Sequence, residues 1–374
     1  MTDPKPILFI IDGSIDVTGA LVSASRQALL LKRELDTILV LSSAHRVPAE
    51  RTMDFAEVIT LPFVPPRKRI ANVIAYLPAL LLSAVQLRLI MWQRGCDRLQ
   101  VNDFYLLHGA VLRLLGFGGR IVTFVRIDPT RYGAAGRIWL AATRLSSTRV
   151  AAVSRFIQRL LGPDFPTHLV YGQVQLDAIA VARPDVERPL LLFVGNTIEG
   201  KGQQYAVEAF NRIAPGYPSA RLRFVGGDMG LDKNRAFLAR IKQQVADGPA
   251  SDRVAFVGQT DDIAAHYATA FAALNFSESE SFSMTCLDGS AAGLPVIATR
   301  CGGPEEIVED GETGFLVPVG DVDTMAERMA WLLDHPAEAA AMGMAGRLLV
   351  AERFSPALAR AAFSELYALP PPLA

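Results

Sequence analysis

Apolar positions along the chain fall into two alternating textures. Short runs rich in β-branched and aromatic residues read as buried strands: Ile7–Ile11, Thr37–Leu41, Val58–Leu61, Arg98–Val101, Ile121–Val125, Val150–Val153 and His168–Tyr171 in the first half. The second half offers Leu190–Val194, Leu222–Val225, Val254–Val257, Ala272–Phe276, Val296–Thr299 and Phe315–Val317. Between most of them lie stretches with helical spacing of apolar residues, such as Ala20–Glu34 and Gln203–Ile213. Strand–helix alternation makes each connection a crossover, and crossovers build parallel sheets covered on both faces. Two successive sets predict an α/β chain of two Rossmann-like, doubly wound domains. The polar stretch Asp177–Arg188 marks the boundary, giving domains 1–180 and 181–354. After Phe-Ser-Pro, the segment 355–367 reads as an amphipathic helix that crosses back onto the first domain.

Length and composition agree with this picture. A chain of 374 residues suits two domains, and 51% hydrophobic residues suffice for two cores. No repeat of solenoid length and no secretory leader is expected from the sequence. Cys96, Cys286 and Cys301 are few and widely spaced, which predicts neither a disulfide framework nor a zinc site and fits a cytoplasmic setting. The net charge of −1 conceals a split. Residues 1–178 hold 21 Lys+Arg against 13 Asp+Glu, and the remainder 16 against 25. The basic half fits an anionic lipid or a phosphorylated acceptor, or is simply one of two soluble domains with unequal charge.

One segment is unusually apolar. Ile70–Leu87 is 18 residues without a charge, after Arg67-Lys68-Arg69 and before Arg88 and Trp92. A membrane span would separate strands that share a sheet, so two readings remain for 67–92: a helix resting in the bilayer surface, or a buried crossover helix.

The chemistry concentrates in the second half. Leu192-Phe193-Val194-Gly195-Asn196 ends a strand in glycine, and Lys201-Gly202 follows where a helix begins. Glycine lets backbone approach a phosphate, the helix N-terminus carries partial positive charge, and Lys201 adds a full one. Val225-Gly226-Gly227 and Val257-Gly258-Gln259 end two further strands in glycine. Such ends collect on one sheet edge, where a binding crevice forms. After the strand Ala272–Phe276, a loop carries Glu280 and a helix beginning near Ser283 carries Asp288. Two carboxylates so placed reach two groups of one elongated, hydroxyl-rich ligand, and the amides of Ser283, Met284 and Thr285 face a phosphate. Taken singly, either acid is equally a surface charge or a helix cap, and Glu278 is read as a surface charge.

With Gly302-Gly303-Pro304-Glu305-Glu306-Ile307-Val308-Glu309-Asp310-Gly311-Glu312-Thr313-Gly314-Phe315-Leu316-Val317 added, the order of motifs resembles family 4 of the glycosyltransferases. The resemblance is strong over 190–320 and thinner over 1–178. It implies the GT-B fold, two Rossmann-like domains facing a central cleft. It also implies a retaining transferase that moves a hexosyl unit from a UDP- or GDP-type sugar to a hydroxyl of a glycan or lipid-linked glycan. Cell-envelope or exopolysaccharide assembly is the expected setting, with no nucleic acid partner. No cofactor and no metal is expected, because lysine and helix amides take the leaving-group charge.

Carried over residue by residue, Lys201 neutralises the diphosphate, and Glu280 contacts the sugar and its phosphate side. Asp288 holds the ribose hydroxyls, and backbone near Gly258 and Gln259 meets the base. The loop Gly13 to Gly19 covers the diphosphate. The sequence departs from the family where the usual arginine is Asn196, where the second acid is Asp288 rather than Glu, and where Gly-Phe-Gly is Ser281-Phe282-Ser283. The first-domain histidine has no counterpart after Asn102-Asp103 or Arg126-Ile127-Asp128, and His108 is read as a packing residue. Asp103, Arg126 and Arg131 are candidates for the acceptor or a phosphate, with surface pairing as the other reading of the arginines. Asp321-Val322-Asp323 is read as a helix cap rather than a metal motif. Two other functions stay open: a non-catalytic nucleotide-sugar-binding scaffold, and another GT-B enzyme such as an epimerase.

Overall fold

The computed structural model describes residues 5–64, 70–174, 176, 179–260 and 262–369, with side chains from Tyr76 onward in the helix that begins at Ile70. The triplet Arg67-Lys68-Arg69, Asp177 of the expected boundary and the tail Pro370–Pro372 lie outside the described residues. The chain forms two compact units, Met1–Gln173 with Pro356–Ala374, and Val174–Ser355.

The first unit holds β1 (Ile7–Ile11), β2 (Asp36–Ser42), β3 (Glu57–Leu61), β4 (Arg98–Val101), β5 (Arg120–Val125), β6 (Arg149–Ala152) and β7 (His168–Leu169) in one sheet. Its order is β3-β2-β1-β4-β5-β6-β7, every pair parallel. The crossovers carry α1 (Gly19–Leu31), α2 (Ile70–Gln93), α3 (His108–Leu114), α4 (Gly133–Ser146) and α5 (Arg155–Leu161). Phe9, Ile11, Val40, Leu99 and Ile121 pack between sheet and helices. Strands buried on both faces have no polar side to present, which is why β1 and β2 read as continuous apolar runs.

The second unit repeats the plan. β8 (Leu190–Val194), β9 (Arg221–Val225), β10 (Val254–Phe256), β11 (Ala272–Asn275), β12 (Val296–Thr299) and β13 (Gly314–Val317) form a parallel sheet of order β10-β9-β8-β11-β12-β13. Its helices are α6 (Gln203–Ile213), α7 (Asp232–Ala246), α8 (Ile263–Ala268), α9 (Met284–Ala291), α10 (Val322–Asp334) and α11 (Pro336–Arg353). In both sheets the winding direction reverses once, between β1 and β4 and between β8 and β11. Loops leaving those neighbouring strands diverge to opposite faces and open a crevice at the carboxyl edge.

All the strands read from the pattern are present, with ends that coincide or are displaced by at most two residues. The largest difference is β7, which keeps two residues where four were expected. The last helix, α12 (Pro356–Tyr367), belongs to the first unit. Arg360 pairs with Glu34 at 2.5 Å, Arg120 donates to the Leu366 carbonyl at 3.1 Å, and Phe363 packs beside Phe124. At its end Tyr367 is fully buried, donating to Gln100 and accepting from Gln27 at 3.3 Å.

The reading of α2 as a fully buried crossover helix is corrected. It does cross from β3 to β4 and buries Leu80, Ala84, Leu87 and Met91, but Leu77, Leu81, Leu82, Val85, Leu89 and Trp92 face solvent. No helix among the described residues is long and apolar enough to cross a membrane.

Candidate functional site

The crevice of the second unit assembles most of the residues marked by sequence. Val194 ends β8, and Gly195 follows at φ +152°. Gly226, after β9, lies so close that a methyl group on it would sit 2.1 Å from the Gly195 carbonyl oxygen. Gly226 N–H donates to the Gly258 carbonyl at 2.7 Å, Thr197 N–H to the Gly227 carbonyl at 2.8 Å, and Gly227 packs on the Gln259 side chain. The ends of β8, β9 and β10 are thus knitted edge to edge by backbone that tolerates no side chain at Gly226.

Two further glycines set the lysine. Gly200 accepts from Glu278 N–H at 2.9 Å, and Gly202 takes φ +85° as the cap of α6, within 2.0 Å of the Phe276 carbonyl oxygen if it bore a methyl. Lys201 is therefore clamped between β8 and β11, across the reversal point. Its Nζ lies 2.5 Å from Glu280 Oε1, which also accepts from Ser277 Oγ at 2.8 Å. Backbone bonds hold Glu280 from both sides: its N–H donates to the Cys301 carbonyl at 3.3 Å, and its carbonyl accepts from Gly303 N–H at 2.7 Å. The Glu280 side chain is 14% exposed and that of Lys201 35%, so the pair lies at the rim of the crevice and not in the core.

Ser283 caps α9, accepting from Cys286 N–H at 3.2 Å and from Asn275 Nδ2 at 2.7 Å. Met284 and Thr285 open the helix, where amide N–H groups lack an intrahelical acceptor and the dipole favours an anion. Thr285 Oγ1 donates to the Val194 carbonyl at 3.3 Å, fixing that end against β8. Asp288 is half-buried one turn further, on the same helix face as Met284. Asn196 presents its carbonyl to Gln203 Nε2 at 3.0 Å. Burial raises the Cys301 thiol beside this loop to about 12 and the Cys286 thiol further still, so both stay protonated thiols. The arrangement offers an ammonium, a carboxylate, glycine-lined strand ends and a helix N-terminus on one edge. That set has the chemistry to meet a phosphorylated, hydroxyl-bearing ligand.

In the first unit the reversal point between β1 and β4 carries a buried polar cluster. Asp12 accepts from Ser14 N–H at 2.6 Å and from Asn102 Nδ2. Arg126 is stacked over Phe124 and donates from Nε to the Asn102 carbonyl and Oδ1, both at 3.0 Å, and from an Nη to Ser23 Oγ at 3.0 Å. Neither surface pairing nor an outward reach describes Arg126: it is a fixed member of this cluster. Asp103 accepts from Phe104 and Arg126 N–H groups at 2.9 and 3.2 Å. Burial pushes its carboxyl up to about 7 against those bonds and the arginine charge. A methyl on Gly13 would meet the Tyr105 hydroxyl at 2.9 Å, while Gly19 opens α1 with nothing near. Arg131 stands exposed on the turn Pro129–Tyr132 and does not join them.

Asp12 and Ser277 escaped the sequence reading. Asp12 follows the first strand directly, immediately before Gly13, a position that signals it once the strand is recognised. Ser277 differs from the serines around it only through its contact with Glu280. Asp321 caps α10 through Thr324 N–H at 3.1 Å, and Asp323 pairs with Arg212, as befits a cap. No group of three or more potential metal ligands occurs among the described residues.

His108 is a packing residue. It is buried against the Phe63 ring, with Nε2 2.9 Å from Ser83 Oγ, and burial lowers its pKa to about 3. The folded chain keeps it neutral where the unfolded chain binds a proton below about pH 6.5. Its contribution to stability is therefore constant above that pH and lost as pH falls. Asp103, raised from 3.8 to about 7, acts in the opposite sense, so its effect must be removed by difference. The stability gap between wild type and His108→Gln, from urea unfolding, should narrow by about 1.4 kcal/mol per pH unit below about pH 6. A gap that does not change with pH would mean that the folded chain protonates His108.

Residues 188–335 match the family of glycosyl transferases group 1. The N-acetyl-alpha-D-glucosaminyl L-malate synthase of Bacillus anthracis is 33% identical over 165 residues, 44% of this chain and 41% of that protein. A GDP-mannose-dependent alpha-(1-6)-phosphatidylinositol monomannoside mannosyltransferase of Mycolicibacterium smegmatis is 30% identical over 179 residues, 43% of each chain. The matched stretch thus spans less than half the length of either relative. In structure, the Anabaena HepE protein in complex with UDP and glucose superposes with a TM-score of 0.81 at 18% identity, covering 98% of this chain and all of that one. Sucrose-phosphate synthase of Thermosynechococcus elongatus gives 0.82 at 21% identity over 97% of this chain and 98% of its own. The two parallel-sheet domains are those of the GT-B fold. Within it, residues 188–335 of the second unit are what resembles the glycosyl transferases group 1 family.

Proposed function

We infer that the chain is a retaining glycosyltransferase. It transfers a hexosyl unit from a nucleoside diphosphate sugar to a hydroxyl of a glycan or lipid-linked glycan in cell-envelope or exopolysaccharide assembly. The observation that carries this reading is the Lys201–Glu280 pair at the reversal point of the second sheet, beside glycine-lined strand ends and the start of α9. The family match over 188–335 and the UDP-glucose bound by HepE support it.

In this reading Lys201 and the first amides of α9 stabilise the departing diphosphate, which is where negative charge develops. Glu280 orients the sugar, Asp288 holds the ribose hydroxyls, and Gly258 and Gln259 meet the base. Attack comes from the leaving-group face, and the diphosphate oxygen takes the acceptor proton, so the protein supplies position and electrostatics and no dedicated base. No metal is required, since the lysine supplies the cation. Asp103 belongs to the acceptor side, with Arg126 positioning it through its backbone N–H. The chain works in the cytoplasm, in peripheral contact with the inner membrane face through 67–92.

A thermal-shift screen against UDP-, GDP- and dTDP-sugars tests the reading. One nucleotide sugar should raise the melting midpoint, because ligand bound only to the folded state stabilises by mass action, about 2.7 kcal/mol at a hundredfold excess over Kd. A chain indifferent to all three classes would favour the scaffold reading.

A further inference from the structure

Gln100 of β4 is an amide buried as completely as the apolar Leu99 beside it. A buried amide is costly unless its hydrogen bonds are made, and here they are made in one order. Tyr367, at the end of α12, donates its hydroxyl to Gln100 Oε1, which also accepts from Gln27 Nε2 at 2.8 Å. Gln100 Nε2 donates to Asn102 Oδ1 at 2.8 Å. Asn102 Nδ2 donates in turn to Asp12 Oδ2, and to the Ala20 carbonyl at 3.3 Å. A line of side-chain bonds thus runs from the last helix to the reversal point between β1 and β4.

The direction of these bonds is set by the charges at one end. A carboxylate only accepts and a guanidinium only donates. Asn102 stands between the two, with Arg126 Nε donating to its Oδ1 at 3.0 Å. Turning the Asn102 amide over would set its NH2 against the guanidinium and its oxygen against the Asp12 carboxylate. With Asn102 so fixed, Gln100 must present Nε2 to it, which leaves Oε1 for Tyr367. Burial raises the Tyr367 hydroxyl well above its ordinary range, so it stays protonated and able to donate.

Asn102 passes this order on to the crevice of the first unit by two routes. Asp12 Oδ1 accepts from Ser14 N–H at 2.6 Å, which fixes the start of the loop Gly13 to Gly19. The Ser14 and Thr18 hydroxyls lie 2.7 Å apart, and Thr18 caps α1, so the loop is tied at its end as well. Arg126 gives its backbone N–H to Asp103 at 3.2 Å. An apolar residue at position 100 would be buried at lower cost, but it would leave Asn102 Oδ1 to the arginine alone and free to tilt away from Asp12. We propose that Gln100, oriented by Tyr367 of the returning helix, is a positioning residue for sugar transfer. It holds Asn102 so that Asp12 keeps the loop Gly13 to Gly19, and Arg126 keeps Asp103, in the arrangement the reaction requires. This rests on the transferase reading above and extends it to two residues with no exposed surface, which act through others.

The test pairs amide hydrogen exchange with turnover, both on the full chain. Gln100→Met keeps the length of the side chain and removes the amide. The amides of 13–19 should then exchange faster. Turnover at saturating donor should fall toward the ~10²-fold that a misplacement of about 1 Å costs. The donor KM should move far less, since in this reading Lys201, Asp288 and the start of α9 hold the donor. Tyr367→Phe leaves Gln27 on Gln100 Oε1, so both effects should appear and be smaller. Leu112→Ala, in the core of the same unit and outside these bonds, lowers the melting midpoint and should move neither. Exchange or turnover like wild type in Gln100→Met would overturn the proposal. So would equal losses in Leu112→Ala, which would assign them to general destabilisation. Exchange needs no substrate. A wild type that transfers no sugar would therefore sink the transferase reading, while exchange still upholds or overturns the hold of Gln100 on the loop.

Discussion

Lys201→Ala should lower sugar transfer by about 10²–10³-fold, the effect of removing one preorganised group that meets charge developing in a transition state. The lysine is held in place by its neighbours. Gly202 occupies a left-handed conformation against Phe276, and Gly200 bonds to the Glu278 backbone, so the ammonium is fixed beside Glu280 without a long flexible search. Little folding stability depends on it. The Lys201 side chain is 35% exposed and its partner keeps the hydrogen bond from Ser277, so the loss should be about 1 kcal/mol or less. The signature is therefore a collapse of turnover in a protein that melts almost where wild type does. Glu280→Gln should likewise reduce turnover while retaining a partner for Ser277. Arg240→Ala provides the contrast: its pair with Glu199 is 66% and 76% exposed, and activity should not change. Wild-type-like turnover in Lys201→Ala, measured by nucleoside diphosphate release, would remove this lysine from the site.

The legibility of the second unit in the sequence follows from the same physics. Strand ends, glycines and the loop acid are local features, each announced within a few residues of its neighbours. Their meeting follows from sheet order, because parallel strands bring every carboxyl end to one edge. Arg126 was not legible in this way. Its partners Asn102 and Ser23 lie far along the chain, and no spacing rule distinguishes a guanidinium held by them from one that faces solvent. The Gln27–Gln100–Tyr367 contacts join three elements across most of the chain, and polar residues in such a network resemble ordinary surface positions when read one at a time. For α2, hydrophobicity gave the helix but not its two-faced burial. A periodicity argument assumes one apolar side, and this helix has apolar residues all round.

Gly226→Ala should strongly disrupt the edge of the second sheet. Two separate costs meet there. The backbone has φ +147°, a region where a side chain strains by about 1–3 kcal/mol. The added methyl would also stand 2.1 Å from the Gly195 carbonyl oxygen and 2.5 Å from its carbon, and these are backbone atoms of a paired strand end that cannot swing aside. Overpacking of that kind adds about 1–3 kcal/mol. Gly258→Ala separates the two contributions. Gly258 has φ +77° but nothing within 4 Å of where a methyl would stand, so strain acts alone. In a domain of this size 1 kcal/mol moves the melting midpoint by about 2–4 °C. Gly258→Ala should then fall by several degrees, and Gly226→Ala by about twice as much. Gly226→Ala should also lose stabilisation by a nucleotide sugar, because relief of the clash pushes β9's end away from β8, widening the edge that approaches the phosphates. Equal midpoints for the two variants would mean that the strand ends can part freely. The close approach of Gly195 and Gly226 would then be incidental to the site rather than what shapes it.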